Sequence, residues 1–211
     1  MEAWNQAWNT AEGRQKWLTP DPFVMRMIPT LKAAGVQRVL DLGFGVGRHA
    51  LLLAQHGFDV YGLDASENGL AFATQWAQQA GVELQLSTGD MARLPYTAGF
   101  FDAILTWNVI YHGLSDYIVQ TVGELKRCLK PDGYLLCTLI STKHHRFGVG
   151  QEIEPKTFVI PGDEETNHPH HYFDQAEINH YLCDFNLIHC EDVEQGDPNS
   201  YHWQLLAVAK T

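Results

Sequence analysis

The sequence has few basic residues and no long apolar run. Lys and Arg number 14 against 25 Asp and Glu, so the formal net charge is −11. Because affinity for a phosphate backbone depends on clustered Lys and Arg, we expect no nucleic-acid partner. No run approaches the ~20 apolar residues of a membrane span, and we expect no membrane partner. The amino-terminal stretch also lacks the apolar core of a secretory signal, which favours a cytoplasmic location.

Cysteine is also scarce, and its spacing does not indicate a redox or metal motif. The chain has four cysteines, and no two of them form a C-x-x-C pair. Each lies in an apolar or helix-like stretch, so we expect reduced, largely buried thiols. The residues are Cys128, Cys137, Cys183 and Cys190.

Apolar runs bounded by turn residues alternate with helix-like segments. Continuous apolar strands separated by helices are typical of a parallel sheet that is covered on both faces. The last two strands have no helix between them and are expected to pair as an antiparallel hairpin. The sequence predicts one domain, residues 1–211, with an α/β, doubly wound, Rossmann-like, mostly parallel sheet. The predicted strands are 36–42, 58–64, 82–90, 100–109, 133–141, 186–195 and 202–210.

Two segments lie outside this alternation. Residues 1–35 are rich in Trp and Pro, and residues 142–171 form a long connection after the fifth strand. Long connections in compact domains are usually functional or disordered. Both segments attach near the carboxyl ends of the strands, where open α/β sheets bind ligands. We expect residues 1–35 to cover a ligand and residues 142–171 to form a lid.

A glycine-rich turn follows the first strand, in VLDLGFGVGR. Gly43 and Gly45 permit a tight turn and let the backbone approach a ligand where a Cβ would collide. Asp41 precedes this turn and places a carboxylate near the end of the strand. A ligand that carries an amine or a positive charge would suit that carboxylate.

The next two strands also end in acids. Asp64 ends the second strand, at the distance from the glycines where a carboxylate accepts both hydroxyls of a ribose. Asp90 ends the third strand and can accept from an exocyclic amine, while Met91 can pack on a purine face. Together these positions predict an adenosine-type ligand.

Two other functions are compatible with these residues. Gly45-x-Gly47-x-x-Ala50 satisfies a dinucleotide fingerprint, with Asp64 at the expected distance, so an NAD(P)-dependent oxidoreductase is one alternative. The chain lacks a second catalytic domain and a Tyr-x-x-x-Lys pair, which argues against it. The other alternative is a non-catalytic module that binds an adenosyl ligand.

Five segments, taken in order over residues 36–141, resemble the motifs of class I S-adenosylmethionine-dependent methyltransferases. They are VLDLGFGVGRHA, VYGLDAS, STGDMARLPY, FDAILTWNVIYH and LKRCLKPDGYLLCTL. Within that family the chain is most similar to the TehB type of tellurite-resistance methyltransferases and related small-molecule enzymes. The resemblance implies a seven-stranded sheet, S-adenosylmethionine as cofactor, S-adenosylhomocysteine as product and a small-molecule methyl acceptor. The protein is expected to be a monomer or a homodimer.

The resemblance also implies roles for particular residues. The methionine moiety would be held at Asp41, Gly43 and Gly45. The ribose and adenine would lie against the next two strand ends, and the sulfonium beside the fourth. The residues implied for these parts are Asp64, Ala65, Asp90, Met91, Trp107 and Asn108.

Histidines and tyrosines indicate the acceptor side. Tyr111 and His112 follow the fourth strand, and His112 is either a base for the acceptor proton or a packing residue. The run H-P-H-H, residues 168–171, is expected to fold over the cleft, with His171 as a further catalytic candidate. Its spacing matches no metal template, so no metal is expected.

Overall fold

Helices and strands alternate along residues 2–163 and 166–211, which the computed structural model describes. The helices are α1 (Glu2–Ala7), α2 (Ala11–Gln15), α3 (Pro22–Ala33), α4 (Arg48–Gln55), α5 (Glu67–Ala80), α6 (Ser115–Cys128) and α7 (Gln175–Tyr181). The strands are β1 (Arg38–Leu42), β2 (Asp59–Asp64), β3 (Gln85–Thr88), β4 (Phe101–Thr106), β5 (Leu129–Ile140), β6 (Gln151–Glu154), β7 (Thr157–Val159), β8 (His170–His171), β9 (Phe185–Glu194) and β10 (Tyr201–Ala209). No helix in these ranges is both long and apolar enough to cross a bilayer.

Seven strands form the central sheet, in the order β3-β2-β1-β4-β5-β10-β9. The pairs among β1 to β5 are parallel, whereas β10 runs antiparallel to both β5 and β9. The predicted fold class and its C-terminal antiparallel hairpin are therefore confirmed. The order reverses at β1, and ligands of open α/β sheets bind beside such a switch point.

Apolar side chains are buried on both faces of the sheet, which explains the continuous apolar runs. Neighbours on β1 point to opposite faces, so Val39 packs with α3 and α4 while Leu40 packs with α6 and α7. Both side chains are almost completely buried. Each face of the sheet therefore has its own apolar core.

The termini of α5 and the start of α7 carry standard caps. Ser66 begins α5 by accepting a hydrogen bond from the Gly69 backbone N–H, and Gly81 ends it with a φ of 68°. Asp174 and Glu177 form a capping box at the start of α7.

The junction between α6 and β5 differs from the prediction. The sequence predicts that the fifth strand begins at residue 133. Instead β5 begins at Leu129, which pairs with Phe101, and the ladder is irregular between Phe101 and Ala103. Asp132, with a φ of 60°, lies within this irregular stretch, so the strand absorbs the turn residues as a bulge.

The two outlying segments contain regular structure. The amino-terminal segment forms α1, α2 and α3, and the long connection contains a three-stranded sheet of β6, β7 and β8. Single bridges join that small sheet to the main body, from His170 to His112 and from Phe173 to Ser141. The long connection is thus attached to the carboxyl end of the main sheet.

Candidate active site

A cavity of about 690 Å³ opens at the carboxyl ends of β1, β2, β3 and β4. The glycine turn after β1, the start of α6, three tryptophans from the amino-terminal segment and His168-Pro169 complete its walls. This volume lies within the range of small-molecule sites in proteins. The predicted rim is therefore the rim of one cavity.

The glycine turn holds its backbone where side chains cannot fit. Gly43 has a φ of 70°, and a Cβ on it would lie 2.3 Å from Cγ2 of Val109. Gly45 has a φ of 56°, and its Cα faces the ring of Trp8. Phe44 is buried, and its ring covers the bare backbone of Gly62, where a Cβ would lie 2.7 Å from it. Bare backbone therefore forms this part of the wall.

Asp64 ties the glycine turn to the start of α5. Its Oδ2 accepts from the Gly45 backbone N–H at 2.8 Å, and its Oδ1 accepts from Ser66 N–H at 2.8 Å. Burial raises the pKa of Asp64, and these backbone hydrogen bonds oppose the rise. Each carboxylate oxygen offers two lone pairs, so the group keeps acceptor capacity toward the cavity. Ala65 lines the cavity beside it.

Asp90 is fixed by the first turn of α6. Its Oδ1 accepts from the Tyr117 hydroxyl at 2.5 Å and from Ala92 N–H at 2.9 Å. Burial, followed by the hydrogen bond to Asp90, raises the pKa of Tyr117. Asp90, Met91 and Tyr117 all line the cavity. The sequence did not indicate Tyr117, because only the fold brings α6 beside the end of β3.

Asp41 corrects one expectation. Its carboxyl is 2% exposed and does not belong to the cavity wall. It accepts a hydrogen bond from the Ala50 backbone in α4, and its Oδ2 is buried without a partner among the described residues. Burial raises the pKa of Asp41 to about 7. Asp41 therefore lies behind the glycine turn rather than on the surface that a ligand would contact.

Trp107 and Asn108 line the cavity after β4, as predicted. The Trp107 ring stacks on Phe23 at 5.6 Å, and its Nε1 is buried without a partner in residues 2–163 and 166–211. Asn108 has a φ of 61°, which Asn tolerates better than most residues. Thr138 Oγ1 accepts from Asn108 N–H at 2.7 Å and donates to its Oδ1 at 2.9 Å, which holds this conformation.

The amino-terminal helices pack over the glycine turn. Asn5 Oδ1 accepts from the Ser66 hydroxyl at 2.9 Å and from Asn68 N–H at 3.1 Å, at the start of α5. The rings of Trp4, Trp8 and Trp17 contact one another and all line the cavity. Residues from the predicted cover thus form one wall.

Arg48 and His49, which follow the glycine turn, also line the cavity. The Arg48 guanidinium donates to Thr19 O at 3.0 Å and lies 5.2 Å from the Trp17 ring, so it anchors the amino-terminal segment. His49, which the sequence did not indicate, accepts from the Asp21 backbone N–H at 3.0 Å. Burial holds its pKa well below the usual range.

His112 and His168 meet on the opposite wall. The two atoms His112 Nδ1 and His168 Nε2 lie 2.9 Å apart, and His112 Nε2 lies 3.1 Å from Asn108 O. Burial and the neighbouring histidines hold the pKa of His112 well below its usual range, and burial lowers that of His168 to about 4. Both rings are therefore neutral near pH 7.

Tyr111 and His171 do not line the cavity, which corrects their predicted roles. Tyr111 is 5% exposed and packs behind His112, with ring centroids 4.4 Å apart. His171 is 2% exposed, its Nδ1 lies 2.7 Å from Thr157 Oγ1, and its Nε2 lies 3.4 Å from Glu177 Oε1. Both side chains support the wall from behind.

Comparison with known families accounts for this arrangement of strand ends. A protein-family model described as "Methyltransferase domain" matches residues 39–133, which include β1 through the beginning of β5. The predicted resemblance to methyltransferases is confirmed over these residues, and the dinucleotide-dependent alternative has no support from the match.

A relative and two solved structures illustrate the likeness of this chain to known methyltransferases. The uncharacterized methyltransferase YcgJ of Bacillus subtilis is 35% identical over 111 residues, which are 52% of this chain and 43% of that protein. The chain spans about half the length of the curated relatives that it matches.

The solved structures are more distant in sequence and share the fold. The 1,6-didemethyltoxoflavin-N1-methyltransferase of Burkholderia thailandensis, with bound 1,6-didemethyltoxoflavin and S-adenosylhomocysteine, has a TM-score of 0.74 at 18% identity, covering 100% of this chain and 88% of that one. TehB of Haemophilus influenzae has a TM-score of 0.65 at 19% identity, covering 88% of this chain and 62% of that one. The predicted likeness to TehB thus holds for the fold.

Proposed function

We propose that this protein transfers the methyl group of S-adenosylmethionine to a small-molecule acceptor bound in the cavity. The observation that carries this proposal is the meeting of Asp64, Asp90 and the bare backbone of the glycine turn on one rim. The match of residues 39–133 to a methyltransferase domain supports the reaction. The small-molecule ligand named for the Burkholderia structure supports the acceptor class.

The residues of the rim fit an adenosyl ligand. Asp64 would hold the ribose hydroxyls through its remaining lone pairs, with Ala65 beside the adenine. Asp90 would accept from the adenine amine, with Met91 packing on the ring. The backbone at Gly43 and Gly45 would approach the methionine moiety, where a Cβ would prevent contact.

Trp107 gives an independent indication of a bound ligand. Its ring N–H is buried at the cavity wall without a partner among the residues described. Buried donors are normally satisfied, and leaving one unsatisfied costs about 1–3 kcal/mol. A ligand with an acceptor group at this wall would remove that cost. Asn108, held rigidly by Thr138, would border the same part of the ligand.

When bound, the cofactor supplies a methyl carbon that its sulfonium has already activated for in-line displacement. The protein then has to align the acceptor atom with that carbon and exclude water. The acceptor lone pair forms the new bond to carbon, the carbon–sulfur bond breaks, and its electron pair remains on sulfur. A hydroxyl or amine acceptor also loses a proton, and His112 is the neutral imidazole that faces this side.

The amino-terminal segment would keep water out of the reaction. Trp4, Trp8 and Trp17 form an aromatic wall over the glycine turn, and Asn5 fastens α1 to the start of α5. His168 reaches the cavity from the long connection. We infer that residues 1–35 act as the cover and residues 142–171 as a lid within one domain.

Transfer of a labelled methyl group tests the proposal. The protein is incubated with S-adenosylmethionine labelled in the methyl group and a fractionated metabolite extract, with RNA, DNA and protein in separate reactions. We expect label in a fraction of low molecular mass. Tight binding of S-adenosylhomocysteine without transfer to any fraction would favour a non-catalytic module. Label in nucleic acid or protein would contradict the acceptor class.

A further inference from the structure

Three histidines converge beside the acceptor side of the cavity. His112 follows β4, His168 lies in the connection that leads into β8, and His170 is the first residue of β8. One ring nitrogen from each lies within 4.8 Å of the others. Residues 112 and 170 are partners in a backbone bridge, and His171 N–H donates to Tyr111 O at 3.0 Å. Backbone pairing therefore brings the two segments together.

Main-chain carbonyls set the orientation of two of these rings. His112 Nε2 lies 3.1 Å from Asn108 O, and His170 Nδ1 lies 3.0 Å from His168 O. A carbonyl oxygen only accepts hydrogen bonds, so the facing ring nitrogen carries the hydrogen in each case. In the neutral form of either ring, the second nitrogen then carries a lone pair. Metal-binding histidines are commonly held in this way, with the remote N–H donating to a carbonyl.

His168 completes the set through its Nε2, which lies 2.9 Å from His112 Nδ1. In the metal-free protein His168 donates to His112 across this distance. Zinc–nitrogen bonds are about 2.0–2.1 Å long, so neighbouring ligand nitrogens of a tetrahedral ion lie about 3.3 Å apart. To admit an ion, the His112 and His168 nitrogens would separate by a few tenths of an ångström, the His170 nitrogen, within 4.8 Å of them, would move to ligand distance, and His168 would change to the Nδ1–H tautomer.

We propose that His112, His168 and His170 form a binding site for a divalent transition-metal ion, with Zn²⁺ as the expected occupant. Three imidazoles, with no carboxylate in the cluster among the described residues, suit zinc and its neighbours and do not suit Mg²⁺ or Ca²⁺. Three protein ligands leave a fourth position open, as in catalytic zinc sites. His112 and His168 line the cavity, so the open position faces the acceptor.

The role of the ion in the reaction deepens the proposed function and rests on it. Metal binding by itself does not depend on the proposed function. An acceptor with an acidic X–H group, a thiol or an acidic hydroxyl, would replace water on the ion and release its proton to solvent. The bound X⁻ keeps a lone pair that attacks the methyl carbon, while the carbon–sulfur electron pair goes to sulfur. In this arrangement His112 is a ligand rather than the base.

This site matches no metal template in the sequence because its ligands come from separate segments. His168 and His170 are two residues apart, but His112 lies 56 residues before His168. The expectation of no metal depended on the spacing of H-P-H-H alone. The fold separates that run, since His170 joins the cluster while the next residue, His171, faces Glu177.

A zinc titration of the full chain tests the site directly. The protein is stripped with a chelator, dialysed and titrated with Zn²⁺ in competition with a chromophoric chelator. We expect one equivalent to bind, and His168→Ala to lose more than about 100-fold in affinity, since even supporting partners cost 10–100-fold. His56→Ala, at an exposed histidine after α4, is the matched control and should bind like the wild type.

Folding and function are followed in the same preparations. Zinc should raise the Tm of the wild type and leave that of His168→Ala unchanged, while both metal-free proteins unfold alike. Binding that is not stoichiometric, or equal affinity in His168→Ala, would overturn the site. Calorimetry with S-adenosylhomocysteine separates the two proposals, because cofactor binding without zinc binding defeats only the metal site.

Substitution with Co²⁺ tests whether the fourth coordination position of the metal ion is open to a thiol. The protein loaded with Co²⁺ should show the visible absorption of a tetrahedral ion, and 2-mercaptoethanol should add a sulfur-to-cobalt charge-transfer band. The thiol band should be absent in His168→Ala. A tetrahedral spectrum that does not respond to the thiol would overturn the role in acceptor binding while leaving the metal site in place.

Discussion

At the residue scale, Asp64 combines two tasks at the end of β2. Its two carboxylate oxygens hold the backbone at Gly45 and Ser66, and their remaining lone pairs face the cavity. The same side chain therefore shapes the glycine turn and, in the proposed function, binds the ribose. Its effect on cofactor affinity is the most direct consequence at this scale.

Asp64→Ala should weaken S-adenosylhomocysteine binding by roughly 1–3 kcal/mol, because charge-assisted hydrogen bonds to the ligand are lost. Isothermal titration calorimetry measures this change. Asp59→Ala, at the exposed start of the same strand, is the control and should retain wild-type affinity. Equal affinity in all three proteins would mean that the ribose lies elsewhere.

Gly43→Ala should destabilise the protein more than Gly57→Ala. Both glycines have positive φ, of 70° and 84°, so both substitutions carry the cost of that backbone conformation. Only at Gly43 does the new Cβ meet another atom, Cγ2 of Val109 at 2.3 Å. Overpacking of this kind costs about 1–3 kcal/mol, which urea denaturation should show as the difference between the two variants. Equal losses would contradict the close approach.

Side-chain direction limits what can be predicted from the sequence at this scale. That Asp64, Asp90 and the glycine turn share one rim could be predicted, because strand ends reach the rim whatever the packing. The side-chain positions of Asp41 and His171 could not be predicted, because neighbouring residues on a strand point to opposite sides and a sequence does not say which side is the cavity. The side chain of Asp41 is turned toward α4, as its bond with Ala50 requires.

At the element scale, the buried Asp41 at the junction between β1 and α4 makes the free energy of unfolding depend on pH. Burial raises the pKa of Asp41 to about 7, against about 4 in an unfolded chain. The folded protein therefore keeps a proton that the unfolded chain releases above pH 4. This contribution to stability is fully present below pH 4 and is lost as the pH rises to about 7.

Asp41→Asn should remove this dependence, because the amide stays neutral throughout. Between pH 4.5 and 7.5, the free energy of unfolding of the variant should rise relative to the wild type by about 2–4 kcal/mol. Urea denaturation at a series of pH values measures the difference, in which the contributions of other groups cancel. If the free energies of unfolding of the two proteins changed with pH in parallel, this would contradict a protonated Asp41 in the folded state.

The attachment of α1 gives a second prediction at this scale. Asn5 joins α1 to α5 through Ser66 and Asn68, and the exposed Gln6 has no such contacts. If α1 covers the cofactor, Asn5→Ala should raise the dissociation rate of S-adenosylhomocysteine by about 3–10-fold, from the loss of about 1 kcal/mol of hydrogen bonding. Stopped-flow displacement measures the rate. A dissociation rate equal to that of the Gln6→Ala control would mean that α1 does not retain the ligand.

Element prediction succeeded where burial makes a strand apolar. The central strands and the final hairpin could be predicted because both faces of the sheet are covered. The strands β6, β7 and β8 could not, because they are two to four residues long and largely polar in sequence. Their pairing depends on contacts with Tyr111 and His112 that are distant in the chain.

At the scale of the whole molecule, two chemically different sets of residues line one cavity. The carboxylates and glycine backbone occupy the side formed by β1, β2 and β3, and the histidines occupy the side formed after β4. The aromatic wall from the amino-terminal segment adjoins both sides, since Trp4 contacts the His112 ring at 5.9 Å and Trp8 covers Gly45. This division matches a cofactor side and an acceptor side.

The topology explains why the cofactor side of the cavity could be predicted from the sequence better than the acceptor side. Parallel strands deliver their carboxyl ends to a common edge, so residues at those ends are near one another in any doubly wound sheet. The acceptor side is built by the connection after β5, whose path is specific to this chain. Its chemistry therefore becomes visible only in the folded molecule.

Calorimetric titration with S-adenosylhomocysteine, and with NADH in parallel, tests the cavity assignment most directly. We predict saturable binding of one S-adenosylhomocysteine per chain and no binding heat from NADH, because the proposed function assigns the rim to an adenosyl sulfonium. Saturation with NADH and no response to S-adenosylhomocysteine would contradict the account.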